Sequence, residues 1–161
     1  MKSPRALGLS FLTGITLAAI PPVHADEASL ASTIFTMPMA AAALGTPVTP
    51  ATVPPDTAMG ATTVSRASYT AQDGSHRQIG LLLRRGDSPD QTKDIFESSK
   101  STFKGEDVPG LGDAAYRTKT PAQLDILRGK DWLIINAGTY KEPDPAAQEK
   151  AAAAILKALA K

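Results

Sequence analysis

Residues 62–85, TTVSRASYTAQDGSHRQIGLLLRR, decide the fold. Val64 and Tyr69 raise the β-branched and aromatic content between Thr62 and Ala71, and Gln72-Asp73-Gly74-Ser75 then supplies turn chemistry. From Arg77 to Arg84 the residues Ile79, Leu81 and Leu83 recur at every second position. Strand side chains alternate between faces, so the stretch reads as a hairpin with one apolar face that needs a cover.

The flanking sequence supplies both further strands and helices. Gly86-Asp87 breaks the second strand. Ser88 then offers an N-cap, Pro89 fits the first helical position, Asp90 suits the positive end of the helix dipole, and Gln91 completes a Ser-x-x-Gln capping box. The spacing predicts a helix to about Phe103, with Ile95, Phe96 and Phe103 on one face. A loop, Glu106 to Asp113, leads into strands at Ala114–Thr118, Gln123–Leu127 and Trp132–Ala137, the last two joined by a tight turn at Arg128-Gly129-Lys130-Asp131. Asp144 and Pro145 open a last helix whose Ala152, Ile155, Leu156 and Leu159 form a stripe, with so much alanine that close packing on a sheet is expected. Before the hairpin, Thr36 can cap a short helix from Met37 to Leu44 that Gly45 ends, and the prolines of residues 46–63 predict an irregular loop. Connections this short exclude parallel crossovers. The expected fold is therefore α+β, a mainly antiparallel sheet of about five strands, hairpin plus meander, with helices packed on it.

The N-terminal residues read differently from the rest. Lys2 and Arg5 precede an apolar run from Ala6 to Ile20, and Val23-His24-Ala25 ends it, which is the order of a secretory signal peptide cleaved after Ala25. The run is too short and too interrupted by Gly8, Gly14 and Pro21 for a spanning helix. Residues 26–161 then form one domain, expected in the periplasm or secreted, with no membrane association after cleavage. Cleavage removes two of the 17 basic residues and none of the 16 acidic ones, so the formal charge passes from +1 to −1. A balance this even argues against nucleic acid as a partner. The chain has no cysteine, which excludes disulfides, thiolate metal sites and a cysteine nucleophile. No cofactor and no metal is expected.

Several short stretches carry a resemblance. Ala42-Ala43-Leu44-Gly45-Thr46-Pro47-Val48, Ser68-Tyr69-Thr70, Val108-Pro109-Gly110-Leu111-Gly112-Asp113-Ala114-Ala115-Tyr116, the Arg128-Gly129-Lys130-Asp131 turn and the closing alanine-rich helix together resemble a family of small exported bacterial proteins and lipoproteins of unknown function. The layout is also similar to that of PsbP-type domains, whose antiparallel sheet lies between helices and whose members are mostly accessory proteins. The resemblance implies cysteines near positions 32 and 67; Ser32 and Ala67 stand there instead.

The candidate functional residues gather near the central loop. Gly110 and Gly112 allow a ligand or partner close approach to the main chain, and Asp113, Tyr116 and Arg117 bring a charge, an aromatic face and a bidentate donor. Alternatively the glycines satisfy a bend and Asp113 bonds the turn backbone. Gly110-x-Gly112-x-x-Ala115 matches a dinucleotide fingerprint by letter only, because no strand precedes it and no helix follows. Asp87, Asp90 and Asp94 lack the spacing of a calcium loop. Arg77, Arg84, Arg85 and Lys93 read as edge-strand protection, and Tyr69, Phe96, Phe103, Tyr116 and Trp132 as core. The expected function is a non-catalytic periplasmic binding or accessory protein with a small ligand or another periplasmic protein as partner. The alternative is a small hydrolase using His76 and an acidic residue.

Overall fold

The computed structural model describes residues 28–160; the expected signal peptide lies outside them. The hairpin forms as read, β3 (Thr62–Ala71) against β4 (Gln78–Gly86), with Val64 opposite Arg84 and Ala67 opposite Leu81. The meander is β6 (Ala114–Lys119), β7 (Ala122–Arg128) and β8 (Asp131–Gly138). Hairpin and meander join through β4 and β8, which pair antiparallel from Gln78 opposite Gly138 to Arg85 opposite Asp131.

The sheet has eight strands rather than about five. The five expected ones are all present, and three short ones extend its edges: β1 (Val48–Pro50) and β2 (Thr57–Met59) along β3, and β5 (Glu106–Asp107) along β6. Residues 46–63 are thus not wholly irregular. Proline lacks an amide donor, and an edge strand can spare one, so Pro50 is accommodated opposite Tyr69. The resulting order is β1-β3-β4-β8-β7-β6-β5, antiparallel throughout.

Alternation divides the side chains between two faces. On one, Ile79, Leu81, Leu83, Leu124, Ile126, Leu133 and Ile135 are buried beneath α2 (Met37–Leu44), α4 (Pro145–Leu159) and α1 (Leu30–Ile34). Asp144 caps α4 by accepting the Ala147 amide, and Ala147, Ala151, Ala152 and Ile155 lie flat against the sheet. Arg128 of β7 finishes the same helix, donating to the Leu156 and Leu159 carbonyls at 2.8 and 3.0 Å. Thr36 makes no side-chain capping bond on α2, although Gly45 ends that helix in the left-handed region as expected.

The short helix α1 was not anticipated. Ser29 caps it and donates its hydroxyl to the Arg66 carbonyl, Ser65 Oγ accepts the Ala31 amide, and Tyr69 donates its hydroxyl to the Phe35 carbonyl just beyond it. Hydrogen bonds to β3 therefore hold this helix to the sheet. Ser32 and Ala67 line one cavity between the helix and that strand.

Among the described residues, the other face carries only α3 (Pro89–Phe103). Its Ser88 cap accepts the Gln91 amide at 3.2 Å. Beneath it Phe96, Tyr116, Leu127 and Trp132 form a second, smaller core, Phe96 lying 4.7 Å from Tyr116 and 6.1 Å from Trp132, centroid to centroid. The aromatic residues read as one core are thus divided between the two faces, with Tyr69 on the first. Phe103 is not core at all: it is 45% exposed, and Ile95 is 38% exposed. The helix contacts β4, β6, β7 and β8, burying Thr92 and Phe96 against them and leaving Ile95 and Phe103 exposed.

Candidate functional site

Two rows of facing residues cross the sheet beneath α3. One runs Val64, Arg84, Trp132, Leu127 from β3 to β7, and the next runs Arg66, Leu82, Ile134, Asp125, Tyr116 from β3 to β6. α3 covers the Tyr116 end. Towards β3 the rows emerge from under it, leaving a groove along the helix flank.

The groove has two connected parts that share Arg84, Ile95 and Trp132. A cleft of about 140 Å³ is lined by Met59, Thr62, Val64, Gly86 and Thr92 in addition. A shallower one of about 350 Å³ continues past Ser98, Ser99, Thr102, Phe103, Pro121, Gln123 and Ile134. Met59 on its wall is 60% exposed. The lining is mostly apolar with a few polar groups converging on it, which is the usual character of a ligand site.

Arg84 stands where the parts meet. Its guanidinium lies over the Trp132 ring, 5.0 Å from the centroid, so the cation faces the negative face of the indole. Its Nε is buried and has no hydrogen-bond partner, and Arg84 enters none of the ion pairs found among the described residues. Edge protection therefore does not explain it: β4 is interior, between β3 and β8. Arg85, on the opposite side of the same strand, is fully engaged by Asp131 at 2.6 and 2.8 Å.

Behind Arg84, Asp125 is wholly buried. Its carboxylate accepts from Trp132 Nε1 at 2.8 Å and from Gln123 Nε2 at 3.0 Å. Burial pushes its pKa up to about 6, against the lowering effect of those bonds, of the Tyr116 hydroxyl and of the Arg84 charge. Tyr116 donates to Ser99 of α3 at 2.9 Å, and burial raises its own pKa.

The residues singled out from the sequence are dispersed. Gly110 is exposed at φ +83°, in open space. Gly112, at φ +61°, sits so close to β7 that an added Cβ would lie 2.4 Å from the Leu127 carbonyl oxygen. Asp113 accepts the Gly129 amide at 2.6 Å and donates its own amide to Leu127, tying the loop to the β7–β8 turn. Tyr116 points under α3, whereas Arg117 points to the opposite face and pairs with Glu149 of α4 at 2.8 Å. Tyr116 and Arg117 therefore share no surface. Of the five, Tyr116 alone reaches the groove, through Ser99.

His76 is exposed at φ +58° in the β3–β4 turn. The nearby Asp73 carboxylate is taken by the Ser75 hydroxyl and amide and by Arg77, which hold its pKa down to about 2. Asp87, Asp90 and Asp94 are exposed, and no group of three or more His, Cys, Asp or Glu among the described residues is placed to hold a metal ion. No helix among them is long and apolar enough to cross a membrane.

Compared with family models, with curated proteins and with solved structures, the chain matches none.

Proposed function

We propose that the chain is a binding or accessory module of an exported compartment, periplasmic or secreted, which holds a ligand or a partner along the flank of α3 without chemical turnover. One observation carries this reading: Met59, Ile95 and Phe103 remain exposed around a groove whose floor already contains a buried aromatic core. Exposed apolar side chains that gather at a concavity mark binding surfaces more often than scattered ones do. The resemblance to PsbP-type accessory domains points the same way, and the order of charge, apolar run and small residues before Asp26 supports export.

The test is capture from periplasmic extract, paired with thermal shifts across a metabolite panel, for the parent chain and for Ile95→Asp and Phe103→Asp. Both side chains are partly exposed, so the variants should fold. The expected result is a captured partner or a stabilising ligand that both variants lose. Equal behaviour of parent and variants would remove the groove from the account. Export is tested separately by N-terminal sequencing of the protein from a periplasmic fraction, which should begin at Asp26.

A further inference from the structure

We infer that the smaller cleft beside α3 is a site for a small apolar monocarboxylate, its acid group on Arg84 and its hydrocarbon body among Met59, Val64, Ile95 and Trp132. The inference rests on the groove being a binding site, and it adds the chemical class of the ligand.

Arg84 carries the argument. A guanidinium offers five donors in a planar fork that matches a carboxylate. Here the fork is held over the Trp132 ring, its Nε is out of water, and no acceptor among the described residues meets it. Arg84 lines the cleft and enters no ion pair among the described residues, so its guanidinium is left to meet an arriving anion with charge-assisted bonds. Asp125 does not fill this role by contact: its oxygens accept from Trp132 and Gln123, and Arg84 makes no hydrogen bond to it.

Size and polarity limit what accompanies the charge. The cleft of about 140 Å³ compares with a cavity of roughly 150 Å³ that admits a benzene ring. Its walls are a thioether, a valine, an isoleucine and an indole, with Thr62, Gly86 and Thr92 completing them. A sugar or a free phosphate would leave its hydroxyls or remaining oxygens unpaired against such walls. A benzoate- or hexanoate-sized acid would not.

The chain has a single tryptophan, and it forms part of the site, so its emission reports occupancy directly. Purified full-length chain is titrated with benzoate, with hexanoate and with neutral benzyl alcohol, at constant ionic strength. The expected result is a saturable change with both acids and binding of the alcohol at least about tenfold weaker, since a charge-assisted bond contributes more than the tenfold equivalent of 1.4 kcal/mol. Arg84→Met should weaken benzoate by at least about tenfold, while Arg84→Lys should retain part of the affinity. Should Arg84→Met fail to fold, Met59→Glu provides the same test, placing a repelling charge on an exposed wall position.

Equal affinity for benzyl alcohol and benzoate would overturn the anion assignment and leave the groove as a binding site. Unchanged benzoate binding in Arg84→Met, or in Met59→Glu if that is the variant that folds, would also overturn it. Absence of any saturable response to the acids would overturn this ligand class. The broader binding reading falls only if Ile95→Asp also leaves partner capture and thermal shifts unaltered.

Discussion

Trp132 donates its indole N–H to the Asp125 carboxylate across 2.8 Å, from β8 to the adjacent β7, with both side chains buried beneath α3. The pair joins the aromatic core under that helix to the polar groups of the groove. It also makes the stability of the fold sensitive to pH.

Asp125 has a folded pKa near 6 because burial disfavours its charge; an exposed aspartate titrates near 3.9. The groups facing it are Arg84 on β4, Tyr116 on β6, Gln123 on β7 and Trp132 on β8. A raised carboxyl pKa favours the folded state below the unfolded value, and the benefit is lost as pH rises through the folded value. Stability from this group should therefore fall between about pH 4 and pH 6.5, by on the order of 2–3 kcal/mol. Urea denaturation at intervals across that range should show the decline in the parent chain and its absence in Asp125→Asn.

Gly112 and Gly110 should respond differently to alanine. Both hold positive φ, which by itself costs roughly 1 kcal/mol for a residue with a Cβ. Only at Gly112 would the new methyl also meet backbone, the Leu127 carbonyl oxygen at 2.4 Å. Thermal melts should place Gly110→Ala a few degrees below the parent and Gly112→Ala markedly lower still.

Arg128→Ala should fray the last turn of α4. Its two bonds supply donors to carbonyls that a helix C-terminus otherwise leaves unpaired, and their loss is expected to cost about 1–2 kcal/mol. Amide hydrogen exchange confined to residues near 156–160 would locate the effect. Exchange spreading evenly through the domain would show that the arginine does something other than cap.

Ala151→Leu tests how closely α4 lies on the sheet. Ala151 is wholly buried among Ala147, Ala152 and Ile155, and inserting a larger side chain into such packing costs typically about 1–3 kcal/mol. A neutral effect in chemical denaturation would mean that the helix stands off the strands.

The hairpin, the meander, the Ser88 cap and the alanine face of α4 were legible because each is written in local sequence. Alternation at Ile79, Leu81 and Leu83 needs no knowledge of the partner strand. The edge strands were not legible, since Val48–Pro50 and Thr57–Met59 become strands only by pairing with β3. The role of Arg84 is not written locally for a related reason: whether β4 lies at an edge or in the interior depends on β8, nearly 50 residues away in the chain. Phe103 keeps helical spacing with Phe96, yet α3 crosses the sheet so that its last turn overhangs the strands. Asp125 alternates with Leu124 and Ile126 like a solvent-facing residue, and only the position of α3 buries it. The groove is thus a product of tertiary placement, and the one pointer to it in the candidate residues was Tyr116.

The location of binding is the central claim, and amide chemical-shift mapping with benzoate tests it most directly. The account predicts shifts concentrated at Met59, Val64, Arg84, Gly86, Ile95 and the Trp132 indole, with little change from Glu106 to Asp113. Shifts centred on the Glu106–Asp113 loop, or no shifts at saturating acid, would contradict it.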